Sequence, residues 1–297
     1  MRCLKVPRSA PTWALLFGAA TWGIVWYPYR LLANAGVDGI WSTLLTYTIA
    51  LGIGVLAFPR IAWSLRRAPK LAIVMGLAIG WSNLAYVLGV VEGEVMRVLL
   101  LFYLAPLWTV PLARVFLHER LDARGAVVMA IAFTGAMIML WRPAIGLPWP
   151  ASRAEWLGLG AGFCFALGNV LVRRLQEMGD AAKSIAIWAG VAAVALAYVP
   201  FSASSGGLAL EHARTAPLVV LGIGVALFAM SLALQYGLSR LPANRAIVVL
   251  LFELVVAAIA AYVLAGEVMR PQDWLGGALI VVATVFPARG SSPGTSP

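Results

Sequence analysis

The sequence predicts an all-α integral membrane protein with ten transmembrane helices arranged as two inverted five-helix repeats. Three observations carry this prediction. Charged residues make up only 11% of the 297 residues and hydrophobic ones 62%, whereas a soluble domain is about a quarter charged because its surface must face water. The apolar residues also gather in stretches of roughly twenty, the number a helix needs to cross a hydrocarbon core of about 30 Å. Finally, the two halves of the chain resemble one another. The stretches are continuous and rich in Leu, Ala and Gly, unlike the short alternating segments of a β-barrel.

The first span is placed at residues 12–32. Arg2, Lys5 and Arg8 precede it as they would a signal peptide, yet the apolar run extends past Trp22 to Pro28, too long for a cleavable core, so it is expected to stay. Four spans follow at 40–58, 71–91, 95–117 and 122–140, and the second set lies at 154–175, 181–200, 217–237, 243–265 and 271–286. The expected organisation is a cytoplasmic tail (1–11), a first repeat (12–141), a periplasmic linker (142–153), a second repeat (154–287) and a disordered tail (288–297).

Lys and Arg accumulate on the cytoplasmic side of short loops. With the N-terminus inside, sixteen of the 22 basic residues fall on that side, including Arg60, Arg66, Arg67, Arg114, Arg120, Arg173, Lys183 and Arg289. Six fall opposite: Arg30, Arg97, Arg142, Arg153, Arg214 and Arg270. Both termini are therefore expected in the cytoplasm of a multi-pass protein of the bacterial inner membrane. The net charge of +10 is spread over these loops and forms no patch for nucleic acid.

Trp13 and Arg30 of the first span match Trp156 and Arg173 of the sixth at a constant offset of 143. Phe116-Leu117-His118-Glu119 resembles Leu264-Ala265-Gly266-Glu267 at an offset of 148. Because each unit has an odd number of spans, the second copy must cross the membrane in the opposite sense. In secondary transporters built this way the substrate lies near the midplane between the halves.

The span count, the length, the span-ending glutamates Glu119 and Glu267 and the downstream Gly276 resemble the drug/metabolite transporter superfamily in its bacterial ten-span form with two EamA-type repeats. Tyr103-Leu104-Ala105-Pro106-Leu107 is similar to a Tyr-Leu-Trp-Pro stretch of the aromatic amino acid exporters, with Ala105 in place of Trp and Leu254 where the repeat partner often has Pro. The resemblance implies export of amino acids or related metabolites. The small multidrug exporters, which resemble one half of this superfamily, couple to protons through a first-span glutamate. The first span here offers Thr21-Trp22-Gly23-Ile24 and no carboxylate, so that mechanism does not transfer.

Trp13, Trp41, Trp141, Trp156, Tyr198, Tyr262 and Trp274 fall where an interfacial aromatic belt belongs. Trp22, Tyr47, Trp81, Tyr103, Trp108 and Trp188 fall near the middle of their spans, where an N–H or O–H needs a partner that lipid cannot supply. These rings are expected to line a cavity or to pack against other helices. Trp22, Trp26 and Tyr29 share one face of the first helix, Asn83 and Tyr86 one of the third, and Ser231 and Gln235 one of the eighth. Polar faces in a membrane helix turn away from lipid.

Glu253 is the acidic residue placed deep in a span, where burial of a carboxylate costs about 2.5–3.5 kcal/mol on insertion scales unless it is paired, protonated or hydrated. It is a candidate for binding a substrate ammonium or a coupling proton; the competing reading is a structural carboxylate held by a hydroxyl or amide of a neighbouring helix. The expected substrate site comprises Trp22, Trp26, Asn83, Tyr86, Tyr103, Trp108, Trp188, Gln235 and Glu253. Gly76 with Gly80 and Gly158 with Gly162 permit close helix approach, and Pro28, Pro106 and Pro111 can loosen their helices.

No cofactor or metal is expected. Cys3, Cys164, His118 and His212 have no ligand neighbours at recognisable spacing, and a Walker-type loop is absent. The spans offer one carboxylate and no histidine pair, which argues against an intramembrane enzyme. No Lys or Arg is placed deep in a span, which disfavours nucleotide-sugars and phosphorylated metabolites. The reading is therefore an alternating-access exporter of aromatic or other hydrophobic amino acids and related metabolites or drugs, with small-molecule and bilayer partners and a monomer as the working unit. A channel, a receptor-like protein, or a carrier of nucleosides or nucleotide-sugars are the alternatives.

Overall fold

The computed structural model describes residues 9–65, 69–92, 95–141, 149–202, 211, 214, 216–265 and 269–285. Arg2, Cys3, Lys5, Arg8, Arg66, Arg67, Arg142, His212, Gly266, Glu267, Phe286, Arg289 and the whole 288–297 tail lie outside them.

The first half contains α1 (Ala10–Asn34), α2 (Gly39–Ala57), a short α3 (Pro59–Ser64), α4 (Lys70–Glu92), α5 (Val95–Phe102), α6 (Ala105–Leu117) and α7 (Ala123–Leu140). The second contains α8 (Arg153–Arg174), α9 (Asp180–Tyr198) with a 3-10 turn at Val199–Phe201, α10 (Pro217–Arg240), α11 (Ala243–Leu250), α12 (Phe252–Ala265) and α13 (Pro271–Val285). No strand is present among the described residues.

Local chemistry sets the helix ends. Asp38 Oδ1 accepts the Ile40 and Trp41 N–H groups at 3.0 Å, Asp122 accepts that of Gly125 at 2.8 Å, and Ser152 caps α8. Proline stands in the first turn of α1, α3, α6 and α10, where its missing N–H costs nothing. Eight segments, two of which run across α5–α6 and α11–α12, are long and apolar enough to cross a membrane. α1 and α13 occupy the positions of the first and tenth expected spans.

The fourth and ninth spans depart from the continuous helices expected of them. α5 gives way to α6 at Tyr103-Leu104, and α11 to α12 at Leu251. Pro106 explains the first break, because it can offer no N–H to the Phe102 carbonyl and its ring crowds that oxygen. α8 packs directly on the freed carbonyl: a Cβ on Gly162 would lie 2.4 Å from Phe102 O, so only glycine fits. The second break has no proline. Leu251 stands 148 residues after Tyr103, the offset of the repeat itself, so the interruption belongs to the architecture and not to one residue.

The helix packing respects the repeat. α4 on α8 is matched by α10 on α1, α4 on α9 by α10 on α2, and α5–α6 on α8 by α11–α12 on α1. The pairs α2 with α9 and α7 with α13 map onto themselves. This is the pattern of a two-fold axis between inverted halves. Close approach uses the expected glycines: Gly76 and Gly80 of α4 abut Gly190 of α9, where a Cβ on Gly190 would fall 2.3 Å from the Gly76 carbonyl. Trp13, Trp141, Trp156, Tyr262 and Trp274 stay exposed, as residues of an interfacial belt should be.

Candidate substrate site

The two helix breaks face each other across the interface between the halves. Tyr103, at the first break, is 7% exposed and donates a hydrogen bond of 3.1 Å to Glu253 Oε1, in the first turn of α12 just past the second. A carboxylate at the start of a half-helix also meets the positive end of its dipole. The ring of Phe102 lies 5.2 Å from Tyr103, 5.3 Å from Tyr86 and 5.4 Å from Phe165. Three of the expected residues, Tyr86, Tyr103 and Glu253, are thus joined in one constellation, with Phe102 and Phe165 added by the fold.

The others take different places. Asn83 accepts from Tyr47 Oη at 3.2 Å and donates to the Ile79 carbonyl at 3.0 Å. Trp108, half-buried on α6, meets Phe163 edge-on at 5.6 Å, and its indole nitrogen has no hydrogen-bond partner. Trp22 and Trp26 are half-buried on α1. Trp188 is fully buried, with its N–H donated to Ser231 Oγ at 2.9 Å and its ring against Phe228, so it serves the packing of α9 on α10. Gln235 is 4% exposed and its Oε1 has no partner.

A second cluster closes the end of the bundle where α1 begins. His118 takes a left-handed conformation, φ 58°, at the end of α6 and turns the chain so that Glu119 points back. Glu119 Oε2 accepts the Ala243 N–H at 2.8 Å, and its Oε1 lies 3.4 Å from Arg173 Nε. Arg173 also donates to the Ser239 carbonyl. Asp180 pairs with Lys183 at 3.1 Å and Arg240 at 2.7 Å, and Lys183 also donates to Ser239 Oγ.

Lys183 corrects the expectation that cations stay in loops. It lies in the first turn of α9 and is fully buried, because the short connection from α8 folds it inward and Asp180 compensates its charge one turn away. The signal for this cluster was present in Arg173, matched to Arg30 by the repeat, and in polar residues within apolar spans, Asn169 and Asn244 among them. Among the described residues no group of His, Cys, Asp and Glu can hold a metal ion.

The family model for EamA-like transporters matches residues 10–141 and 152–288, one copy in each half. The chain belongs to the EamA-like transporter family. It is therefore a multi-pass inner-membrane transporter of small molecules within the drug/metabolite transporter superfamily. Among curated relatives of this EamA-like chain, protein RarD of Streptomyces exfoliatus is 26% identical over 288 residues, covering 91% of this chain and 85% of the relative. A probable terminal-alkyne amino-acid exporter of Streptantibioticus cattleyicolor is 27% identical over 287 residues, covering 94% and 93%. A solved crystal structure superposes with a TM-score of 0.74 at 18% identity, covering 94% of this chain and 97% of the other, and so shares the fold.

Proposed function

We propose that the protein exports amino acids, aromatic or other hydrophobic ones foremost, together with related small metabolites or drugs, by alternating access between its two halves. The observation that carries this reading is the Tyr103–Glu253 hydrogen bond at two facing helix breaks, one from each repeat. In inverted-repeat transporters, interrupted helices at corresponding positions mark the substrate site. Glu253 supplies the negative charge that an ammonium group requires. Tyr86, Phe102 and Tyr103 offer ring faces to the apolar part of a substrate, at about 0.5–1.5 kcal/mol per aromatic contact. Trp22, Trp26, Asn83, Trp108 and Gln235 extend the pathway on either side. The relative named as an amino-acid exporter supports the same substrate class, and the distribution of Lys and Arg supports cytoplasmic termini.

The test is uptake of labelled phenylalanine by proteoliposomes containing the purified chain, competed against a panel of amino acids and metabolites. Saturable uptake that is stimulated by internal substrate and competed by hydrophobic amino acids is expected. Absence of competition by every amino acid rejects the substrate class, and ohmic current rejects the carrier.

A further inference from the structure

Three helices converge just inside the Glu119–Arg173 pair, and each carries a buried carboxamide. Asn169 of α8, Gln235 of α10 and Asn244 of α11 are 9%, 4% and 8% exposed. Asn169 stands four residues before Arg173 and Gln235 four before Ser239, so each shares a helix face with a member of the charged cluster. Arg173 donates to the Ser239 carbonyl, which brings those two faces together. Asn244 follows Ala243, which is held by Glu119 and packs against Val170, the neighbour of Asn169.

Asn169 Nδ2, Gln235 Oε1 and Asn244 Oδ1 all lack a hydrogen-bond partner. Buried polar atoms are nearly always paired, so three on neighbouring helices near one end of the bundle point to a ligand. They present one donor group and two acceptors. Of the cations at this end, Arg173 and Lys183 are engaged by Glu119 and Asp180. A group bearing both a carboxylate and an ammonium matches all three.

We propose that Asn169, Gln235 and Asn244 form an outer subsite for the charged end of a zwitterionic substrate, with Asn169 donating to its carboxylate and Gln235 and Asn244 accepting from its ammonium. The subsite rests on the amino-acid reading above and is distinct from the Tyr103–Glu253 centre. Asn244 and Glu253 are nine residues apart in one interrupted span, about 13 Å at helical rise. A substrate passing between the two would exchange one set of hydrogen bonds for another.

The experiment measures inhibition of labelled phenylalanine uptake by phenylalanine, phenethylamine and 3-phenylpropionate in proteoliposomes holding wild type, Asn169→Ala or Asn244→Ala. Asn169→Ala should lower the preference for phenylalanine over phenethylamine about tenfold, and Asn244→Ala should lower that over 3-phenylpropionate about tenfold, as loss of one charge-assisted hydrogen bond implies. Each variant tests its own half of the subsite, so failure of one to insert leaves the other decisive. Unchanged preferences in a transporting variant overturn the subsite and leave the amino-acid reading standing. No phenylalanine uptake by wild type overturns both.

Discussion

Tyr103 and Glu253 lie 150 residues apart in the chain yet share a hydrogen bond of 3.1 Å, which ties the interruption of one half of the molecule to that of the other. The contact is made where both backbones leave the helix. It therefore sits where a change in either half is felt by the other.

Tyr103→Phe keeps the ring against Phe102 and removes only the hydroxyl. A hydrogen bond to a charged group contributes about 1.5–3 kcal/mol, so the initial rate of phenylalanine uptake should fall about tenfold or more, and the melting temperature in detergent should fall with it. An unchanged rate would remove the pair from the transport cycle.

Glu253→Gln keeps the shape and an acceptor for Tyr103 but loses the charge. Uptake of an amino acid is expected to drop at least tenfold and to lose any dependence on external pH that the carboxylate confers, read from initial rates in proteoliposomes. Wild-type rate and pH profile in this variant would make the carboxylate structural.

Gly54→Ala tests the packing of Trp188. A Cβ there would fall 2.3 Å from the indole ring, which is fully buried and anchored by Ser231. Overpacking of this kind costs about 1–3 kcal/mol, and thermal unfolding in detergent should register it. An unaltered melting temperature would mean that Trp188 moves aside freely.

Glu119→Ala removes both the partner of Arg173 and the acceptor for the Ala243 N–H. A loss of about 1–2 kcal/mol is expected, most of it from the helix cap. Glu119→Gln retains an acceptor and should recover most of that loss in the same thermal measurement. Equal destabilisation by both variants would assign the effect to the ion pair.

A fluorescent reporter fused after Pro297 tests the orientation. Sixteen basic residues against six predict that end in the cytoplasm, so a protein that fluoresces only there should be bright, and a periplasm-dependent phosphatase at the same point inactive. The reverse pattern inverts the topology.

The ten spans were legible because burial in lipid demands long apolar runs, and their limits in the structure fall within three residues of the hydrophobic boundaries where both can be compared. The helix breaks were not legible in full. Pro106 marked one, but Leu251 carries no local signal, and its interruption follows from its place in the repeat. Tyr86, Tyr103 and Glu253 could be named because a polar group in a membrane helix must find a partner. Which partner it finds depends on tertiary packing, and so Trp188 turned to Ser231 while Lys183 turned inward to Asp180 and Ser239. The Glu119–Arg173 contact was hidden for the same reason, since 54 residues of chain separate its two members.

The matched packing of the two halves has an energetic consequence. The main helix pairs have counterparts under exchange of the halves, so the arrangement obtained by swapping their shapes keeps those contacts and alters the ones that close a single end of the bundle. Pro106 and Leu254 are a mismatch between the halves, separated by the repeat offset of 148. Pro106 withholds a backbone donor at one interruption, whereas Leu254 retains its own at the other. The molecule is therefore a balance with unequal arms, and a single substitution at either position should tip it without touching a bound substrate.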